Sequence, residues 1–301
     1  MHDIIIVGGG PAGLAAALYA RRAGKRVLIV EKGGFGGQMT FSPKIENYPA
    51  FLSVSGSELA DKMVEQVLQQ GADVEIGAVT GIERHGDGFH VRAGASVFAA
   101  KAVILATGAR HRLLGVPGED KFLGDGVSFC AVCDGAFYKD RQVLVIGGGN
   151  SALQEALLLA ETAAKVTVVQ NLDEFTGEVR LCELLTQKPN VETIFGHTVT
   201  AILGEDALTG AEVEDVHTGA RRVLPADGVF VAVGLAPDNG AFENLVALDG
   251  GYIAAGEDTV TSAEGVFTAG DCRTKRVRQI ATAVADGATA ALAACRYIDG
   301  E

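Results

Sequence analysis

The chain has 301 residues, enough for two domains with separate hydrophobic cores. Its 38 acidic and 25 basic side chains give a net charge of −13, which excludes nucleic acids and anionic membrane surfaces as expected partners, because both would repel it. The N-terminal residues have no basic stretch and too short an apolar run for a signal peptide or a membrane span, so we predict a cytoplasmic globular protein without membrane association.

The predicted elements begin with a unit that occurs twice in the chain. In each copy a short β-branched strand leads into a glycine-rich turn, an Ala- and Leu-rich helix follows, and a second apolar strand returns. In the first copy the strands are at residues 4–7 and 27–30, and the helix between them ends at residue 23. In the second copy the strands are at residues 143–146 and 166–169, and the helix is at residues 153–164. A shift of 139 residues superposes the copies and indicates an internal duplication.

The first glycine turn has the spacing that dinucleotide binding requires. Gly8 makes the tight turn, Gly10 allows the backbone to approach a pyrophosphate, and Gly13 allows close packing of helix and strand. Glu31, just after the second strand, is placed to accept hydrogen bonds from ribose hydroxyls. Because the complete unit surrounds these glycines, we interpret them as a dinucleotide site rather than a purely structural turn.

Two further apolar strands ending in glycine, at residues 103–108 and 229–234, follow the two copies. The turn-rich segments 116–118 and 237–239 mark the points where the chain crosses between domains. We therefore predict an α/β protein with two Rossmann-like dinucleotide-binding domains, the second inserted into the first. The first domain comprises residues 1–115 and 245–301, and the central domain comprises residues 116–244.

The close pair Cys130 and Cys133 is the cysteine spacing that favours chemistry. A separation of two residues suits a small, reversible disulfide, whose thiolate form can attack another disulfide. A zinc site is the alternative, but zinc requires four ligands and the sequence has no second close pair, so we predict no metal. The other cysteines are expected to be small buried hydrophobic residues: Cys182, Cys272 and Cys295.

Several motifs spread over the whole chain resemble those of the low-molecular-weight thioredoxin reductases. The matching segments are residues 8–13 with Glu31, 36–38, 46–49, 106–108, 130–135, 269–271 with 278–279, and 281–283. The resemblance implies that FAD is the bound dinucleotide. It implies the following cofactor-binding residues: Gly8, Gly10, Pro11, Ala12, Gly13, Glu31, Lys32, Gly37, Gln38, Asn47, Thr107, Gly108, Gly270, Asp271, Arg278, Gln279 and Ile280.

The resemblance also implies roles for individual residues. Asp271 would meet the ribityl chain of FAD, while the regions of Gln38, Asn47 and Gln279 would lie near the flavin ring. In the redox centre, Cys133 would receive electrons from the flavin and resolve the mixed disulfide that Cys130 forms with a substrate protein. Asp134 would act as general acid and base for the thiols, with a solvated turn residue as the alternative interpretation.

The segment after the second strand of the central domain departs from that family. Its NADPH-using members carry a histidine and three arginines that hold the 2′-phosphate, whereas residues 170–176 have neutral side chains at all four positions and acids at Asp173 and Glu174. Gln170 occupies the position equivalent to Glu31, and an amide binds a ribose hydroxyl less strongly than a carboxylate does. We therefore expect a degenerate nicotinamide-nucleotide fold. NADPH is not the expected donor, and NADH is possible but not favoured.

A second departure is the presence of four cations within residues 273–278 of an acidic protein. We interpret them as a positive patch that steers an acidic electron carrier such as ferredoxin or flavodoxin, with a solvated basic loop as the alternative. The two departures together make the chain resemble the ferredoxin-dependent flavin thioredoxin reductases, in which electrons arrive one at a time.

The leading hypothesis is therefore a flavin-dependent thioredoxin-disulfide reductase that receives its electrons from reduced ferredoxin or flavodoxin. An NADPH- or NADH-dependent thioredoxin reductase is the main alternative. A flavin oxidase and a non-catalytic redox sensor are the others, and the intact Cys-x-x-Cys-Asp sequence argues against the sensor, which has little need of the acid. A homodimer is expected from the resemblance alone.

Overall fold

The computed structural model describes residues 1–42 and 45–301, with the side chains of all of these except Phe41, Val132, Cys133 and Leu235. The strands of this part are β1 (His2–Val7), β2 (Val27–Glu31), β3 (Asp73–Ile76), β4 (Val79–His85), β5 (Gly88–Ala93), β6 (Ser96–Leu105), β7 (Ala109–His111), β8 (Val127–Ser128), β9 (Gln142–Ile146), β10 (Lys165–Val169), β11 (Val191–Ile194), β12 (His197–Gly204), β13 (Leu208–Asp215), β14 (Arg221–Pro225), β15 (Gly228–Val231), β16 (Leu235–Pro237), β17 (Leu248–Asp249), β18 (Tyr252–Ile253) and β19 (Val266–Thr268). The helices are α1 (Pro11–Arg22), α2 (Gly56–Gln69), α3 (Glu119–Phe122), α4 (Ala131–Asp134), α5 (Asn150–Leu159), α6 (Val179–Thr186) and α7 (Ile280–Asp299), and short 3₁₀ helices occur at Gly37–Phe41, Gly135–Tyr138, Gly240–Phe242 and Gly270–Cys272.

The chain divides into two compact units. One comprises Met1–Arg110 with Ala236–Glu301, and the other comprises His111–Leu235. The short strands β7 and β16, which pair with each other, lie at the two points where the chain passes between the units. These points fall slightly earlier in the chain than the crossings expected from turn residues. The predicted α/β fold class, with a second Rossmann-like domain inserted into the first, is confirmed.

The outer unit is built on a seven-stranded sheet with the order β3-β2-β1-β6-β5-β4, and β19 also pairs with β6. Strands β1, β2, β3, β6 and β19 run parallel, and β4 and β5 form an antiparallel hairpin against β6. The parallel strands read as continuous apolar runs because both faces of the sheet are covered.

The inserted unit repeats this plan in a five-stranded parallel sheet with the order β11-β10-β9-β15-β8, joined by a separate antiparallel sheet of β12, β13 and β14. The predicted duplication is visible in the strand register. Ile4 of β1 lies opposite Val27 of β2, and Val143 of β9 lies opposite Val166 of β10, so both partners are displaced by the same 139 residues.

Helix α5, which follows the second glycine turn, differs from its predicted bounds of 153–164. It begins at Asn150, directly after the glycine turn, with Gly149 as its N-cap. It ends at Leu159, because the backbone N–H groups of Thr162 and Ala163 both donate to the Leu159 carbonyl and close the last turn there. The strand predictions were accurate to within two residues at each end of β1, β2, β9 and β10.

Small residues let α1 and α7 pack closely in the outer unit. A Cβ on Gly287 of α7 would lie 2.1 Å from the Ala12 carbonyl oxygen, and a Cβ on Gly270 would lie 2.8 Å from the Ala12 side chain. The 3₁₀ helix at Gly270–Cys272 is thereby held beside the start of α1. In residues 1–42 and 45–301 no helix combines the length and apolar character needed to cross a membrane.

Candidate cofactor site and redox centre

The first glycine turn joins β1 to α1. At two of its glycines any side chain would collide with the neighbouring backbone. Gly8 has φ of +111°, and a Cβ on it would lie 2.2 Å from the Ala106 carbonyl oxygen. A Cβ on Gly13 would lie 1.9 Å from the carbonyl oxygen of Gly8. These contacts agree with the predicted roles of Gly8 in the turn and Gly13 in helix–strand packing.

Gly10 differs from these two glycines because the space in front of it is open. The nearest protein atom to a Cβ on Gly10 would be the Cα of Gly37, at 3.9 Å. Pro11 is the first residue of α1, so the missing N–H of proline falls where a helix has no internal acceptor. An open glycine at the amino end of a helix is the arrangement that accommodates a pyrophosphate.

Glu31 lies at the end of β2 with its carboxylate held by the glycine turn. Its Oε2 accepts a hydrogen bond of 2.7 Å from the Gly9 N–H, and its Oε1 accepts one of 2.9 Å from the Gly33 N–H. Each oxygen keeps a second lone pair, so the fixed carboxylate can also accept ribose hydroxyls. Next to it, the exposed ammonium of Lys32 pairs with Asp238 at 3.1 Å.

The structure brings together two residues that the resemblance placed near the flavin ring. Asn47 donates from Nδ2 to Oε1 of Gln279 over 3.1 Å, although the two residues are 232 positions apart in the chain. Gln279 is the N-cap of α7, and its backbone N–H donates to Thr282 Oγ1. Gln38 is exposed and lies in the 3₁₀ helix that begins at Gly37, the residue facing Gly10.

Asp271 and Arg278 each contribute a buried polar atom that has no hydrogen-bond partner among the described residues. These atoms are Asp271 Oδ1 and Arg278 Nε. Burial raises the pKa of Asp271 and outweighs the opposing effect of Lys275 and Arg278. The Arg278 guanidinium also lies over the Tyr252 ring, 4.4 Å from its centroid. Buried polar atoms are normally satisfied in a native protein, so these two indicate a missing polar ligand.

Asn239 is a site residue that the sequence interpretation missed. It is buried, its Oδ1 accepts a hydrogen bond of 2.9 Å from Thr107 Oγ1, and its Nδ2 donates to the carbonyl oxygens of Gly251 and Cys272. It therefore connects the segment containing Thr107 and Gly108 to the segment containing Gly270 and Asp271. The sequence showed only a turn-forming Pro-Asp-Asn, which is equally typical of an exposed loop.

The predicted positive patch at residues 273–278 is wrong for half of its cations. Arg273 is only 1 % exposed, and it donates to both carboxylate oxygens of the buried Asp286. Lys275 is buried to nearly the same extent and donates to the same carboxylate over 2.8 Å. Asp286 lies on α7, 13 residues after Arg273. The sequence of the basic segment alone therefore does not reveal this ion pair. Of these four cations, Arg276 alone is exposed.

The second glycine turn has the geometry of the first but a different occupant at the ribose position. A Cβ on Gly147 would lie 2.4 Å from the Ala232 carbonyl oxygen, which parallels the Gly8 contact. Gln170 is 4 % exposed, its Nε2 donates to the Glu174 carbonyl over 3.3 Å, and its Oε1 accepts from the Asn171 N–H over 3.1 Å. Both ends of the amide are therefore engaged within their own loop.

The rest of this loop carries no cation between residues 170 and 179. Asp173 pairs with His217 at 2.8 Å and raises the pKa of that histidine through the hydrogen bond. The N–H groups of Thr176 and Gly177 both donate to the Gly148 carbonyl and fold the loop against the turn. Arg180, exposed at the start of α6, is the first cation after the loop.

The predicted redox segment follows β8, with Cys130 immediately before α4 and Cys133 within that helix. Cys130 is in a disulfide, while the prediction for the Cys133 side chain lies outside the described residues. Asp134 is not a freely solvated turn residue, because its Oδ2 accepts a hydrogen bond of 2.6 Å from the buried Ser128 hydroxyl. The other three cysteines are free thiols, two of them buried, as expected, and one partly exposed: Cys272, Cys295 and Cys182.

The residues of the outer unit fit a dinucleotide with a polar chain such as FAD. Gly10 leaves room for a pyrophosphate, Glu31 is fixed for a ribose, and Asp271 and Arg278 have buried polar atoms without a partner. In the described part of the chain, no three His, Cys, Asp or Glu side chains come together in a way that could hold a metal ion.

Comparison with protein families gives one match over nearly the whole chain. The profile described as pyridine nucleotide-disulphide oxidoreductase matches residues 2–287. The chain is also similar to the thioredoxin reductase of Treponema pallidum, with 41 % identity over 299 residues that cover 99 % of this chain and 97 % of the relative.

Two solved structures have the same fold over their full length. The thioredoxin reductase of Lactococcus lactis, in its FR conformation, is 37 % identical with a TM-score of 0.98, and the match covers all of both chains. A ferredoxin-flavin thioredoxin reductase from Clostridium acetobutylicum is 32 % identical with a TM-score of 0.54, and the match covers 100 % of this chain and 99 % of that one.

Proposed function

We propose, since this chain belongs to the thioredoxin reductase family, that it reduces the disulfide of a thioredoxin or thioredoxin-like protein through FAD and a redox-active pair formed by Cys130 and Cys133. The observation that carries this proposal is the disulfide at Cys130 in a short segment that also contains a carboxyl group held in place, that of Asp134. A disulfide that is cycled, rather than structural, needs such a group to manage protons.

FAD would be held by the outer unit. Gly10 would face its pyrophosphate, Glu31 a ribose, Asp271 the ribityl hydroxyls, and the bonded pair Asn47 and Gln279 the flavin ring. When bound, FAD supplies the electron pair that opens the cysteine disulfide.

The thiol chemistry needs two cysteines and one proton carrier. With the pair reduced, Asp134 accepts a proton from Cys130, and the Cys130 thiolate attacks one sulfur of the substrate disulfide. The substrate S–S bond breaks, and its leaving thiolate takes the proton from Asp134. Cys133 then attacks the mixed disulfide, and its proton passes to the second substrate sulfur. Two electrons and two protons have moved from the pair to the substrate, and the pair is again a disulfide.

For the electron donor, we propose a one-electron carrier such as ferredoxin or flavodoxin rather than NADPH. The support comes from the second glycine turn, where the Gln170 amide is buried and both of its ends are engaged. Each charge-assisted hydrogen bond to a 2′-phosphate contributes about 1.5–3 kcal/mol, so the absence of several cations from residues 170–179 should weaken NADPH binding by orders of magnitude. The buried cations at Arg273 and Lys275 give this donor no support as a steering patch.

NADPH is the second candidate donor, and the comparisons with known proteins support it better than they support ferredoxin. The relatives with about 40 % identity are named simply thioredoxin reductases, and the family profile is that of pyridine nucleotide enzymes. Arg180 is exposed and directly follows the loop of residues 170–179, so its guanidinium could bind a phosphate. In that case the 2′-phosphate site has moved from the loop to the start of α6.

Anaerobic reduction of the FAD-loaded protein distinguishes the donors. Reduced ferredoxin, NADPH and NADH are each added separately while flavin absorbance is followed, and oxidised thioredoxin is added afterwards. We expect ferredoxin alone to bleach the flavin rapidly and thioredoxin to restore its colour. Rapid bleaching by micromolar NADPH, lost in Arg180→Gln, would establish the second candidate instead.

The remaining alternatives are tested with the same FAD-loaded protein, once in air and once anaerobically. A flavin oxidase would turn over rapidly in air without thioredoxin, and a redox sensor would not restore flavin colour when thioredoxin is added. The homodimer and the cytoplasmic location stay predictions. Light scattering of the purified protein at several concentrations tests the first of these.

A further inference from the structure

Ser128 is the last residue of β8 and immediately precedes the cysteine segment. Its side chain is 5 % exposed, and its backbone lies opposite Phe230 of β15 in the parallel sheet. The sheet therefore sets the position of Ser128 independently of the loop and short helix that follow. The motif that carries the resemblance begins only at Cys130, so sequence analysis assigned Ser128 no role.

The Ser128 hydroxyl connects both ends of the redox segment. Its Oγ lies 2.6 Å from Asp134 Oδ2, and it accepts a hydrogen bond of 3.0 Å from the Cys130 backbone N–H. Its distance to the Cys130 carbonyl oxygen is longer, at 3.4 Å, and that carbonyl already accepts from the Asp134 N–H. A hydroxyl has one hydrogen, and the shorter, charge-assisted contact takes it, so Ser128 donates to Asp134.

We propose that Ser128 is a positioning residue that fixes the Asp134 carboxyl group and selects which of its oxygens exchanges protons with the thiols. This inference rests on the proposed thiol chemistry. Because Oδ2 is occupied by the serine O–H, the proton that Asp134 takes from a cysteine goes to Oδ1. The same proton is then given to the leaving thiolate of the substrate, and Ser128 keeps its own hydrogen throughout.

Other groups around Asp134 do not provide this function. Tyr138, in the 3₁₀ helix after α4, is the titratable neighbour whose pKa is raised by burial and, to a smaller extent, by the charge of Asp134. The charges of Asp125 and Arg141 act on the pKa of Tyr138 with opposite signs. Among the described residues, the hydrogen bond to the Asp134 carboxylate comes from the side chain of Ser128. Ser128 is a residue of the sheet, so the donor has a fixed position.

The test compares Ser128→Ala and Ser128→Thr with the parent protein, all in a Cys182→Ser background that removes the partly exposed free thiol. The FAD-loaded protein is reduced with dithiothreitol, desalted anaerobically and mixed with either oxidised thioredoxin or the aromatic disulfide DTNB between pH 5 and 9. We expect Ser128→Ala to react about tenfold more slowly at pH 7 and to lose activity at a higher pH on the acid side than the parent protein, because the carboxylate has lost a donor. Ser128→Thr keeps the hydroxyl and should keep the profile.

Thr200→Val is the matched control. Thr200 donates to the Glu212 carboxylate over 2.7 Å in the same unit, so the variant removes the same type of bond away from the cysteines. Its pH profile should not move. In an Asp134→Asn background, Ser128→Ala should change the rate less than twofold, because Ser128 acts through Asp134.

A uniform loss of rate with an unmoved pH midpoint, or additive effects in the Asp134→Asn background, would overturn the role of Ser128. If Ser128→Ala does not fold, Ser128→Gly is measured in the same way. Failure of the parent protein to reduce thioredoxin, with the expected pH shift present for DTNB, would refute the proposed substrate but not the role of Ser128. Normal thioredoxin reduction without the shift would do the reverse.

Discussion

Arg273 and Asp286 form a buried two-point ion pair, in which Nε and Nη2 of the guanidinium donate to the two carboxylate oxygens over 3.0 and 2.9 Å. The same carboxylate accepts from Lys275 and from the Gly270 N–H. Asp286 thus ties the segment around Asp271 to α7. Arg273 and Lys275 therefore stabilise this part of the outer unit from inside and are not available to a partner at the surface.

Replacing Asp286 by Asn should destabilise the outer unit strongly. Arg273 is 1 % exposed and would keep its charge without its buried counter-ion, a change that costs about 3–5 kcal/mol. Urea unfolding of the FAD-free protein measures the loss. Glu257→Gln is the control, because Glu257 also contacts Arg273 but is 89 % exposed, and its loss should cost less than about 1 kcal/mol.

The pH dependence of the same pair has a definite sign. Burial alone would raise the pKa of Asp286, but the hydrogen bonds from Arg273 and Lys275 outweigh it and lower the pKa below 3.8. The pair therefore contributes stability above the ordinary carboxyl pKa, and this contribution is lost as the pH falls through the lowered value. Asp286→Asn should lack this acid-side loss, and an unchanged acid limb would show that Asp286 is not ionised in the folded protein.

Glu155 of α5 should make the folded protein less stable as the pH rises. Burial raises the pKa of Glu155 to about 8, and its Oε2 has no partner among the described residues. The folded state holds a proton that the unfolded state releases above pH 4.5, so stability falls between pH 4.5 and about 8, on the order of 5 kcal/mol in total.

Glu155→Gln should remove this decline when unfolding midpoints in urea are compared at several pH values. Gln154→Glu is the matched control, since Gln154 is exposed and a carboxylate there should titrate normally. A Glu155→Gln protein with the parental slope would contradict the assignment, and a steep new slope in Gln154→Glu would show that position, not burial, is responsible.

The strands and both glycine turns were predictable because a parallel sheet covered on both faces requires continuous apolar runs, and the duplication repeats them at a fixed distance. The sequence also showed that a glutamine, Gln170, stands where the first copy has Glu31. Its burial was not predictable, because it depends on hydrogen bonds to the backbone of Asn171 and Glu174. The fate of Arg273 and Lys275 could not be predicted from the local charge pattern, because Asp286 reaches them from a different element. Ser128 and Asn239 act through contacts that their residue types alone do not reveal.

Introducing cations into the loop of residues 170–179, which follows β10, should create an NADPH site. Asn171→Arg, Leu172→Arg and Thr176→Arg together place guanidinium groups at exposed positions beside the second glycine turn. Binding of NADPH should strengthen at least tenfold relative to NADH, because only NADPH carries the 2′-phosphate and each new bond contributes about 1.5–3 kcal/mol. Titration of the oxidised protein with each nucleotide, followed by fluorescence, measures the ratio.

A control with the same added charge uses three exposed glutamines at the end of α2 and just beyond it: Gln66→Arg, Gln69→Arg and Gln70→Arg. This variant should not discriminate between the nucleotides. Equal affinities for NADPH and NADH in the loop variant would mean that the loop does not lie where a 2′-phosphate binds.

Gly10→Ala separates cofactor binding from folding. A Cβ at this position would have no protein atom within 3.4 Å, so the FAD-free variant should unfold at nearly the parental urea concentration. The same Cβ occupies the space where the turn approaches a pyrophosphate, so FAD affinity should fall at least about tenfold, or more than 1.4 kcal/mol. Gly34→Ala, which meets nothing within 4 Å, should retain both properties. The measurements are the FAD content after gel filtration and a titration of the FAD-free proteins with FAD. A Gly10→Ala protein that binds FAD normally would show that the pyrophosphate lies elsewhere. A Gly10→Ala protein that fails to fold would show that Gly10 is structural, like Gly13.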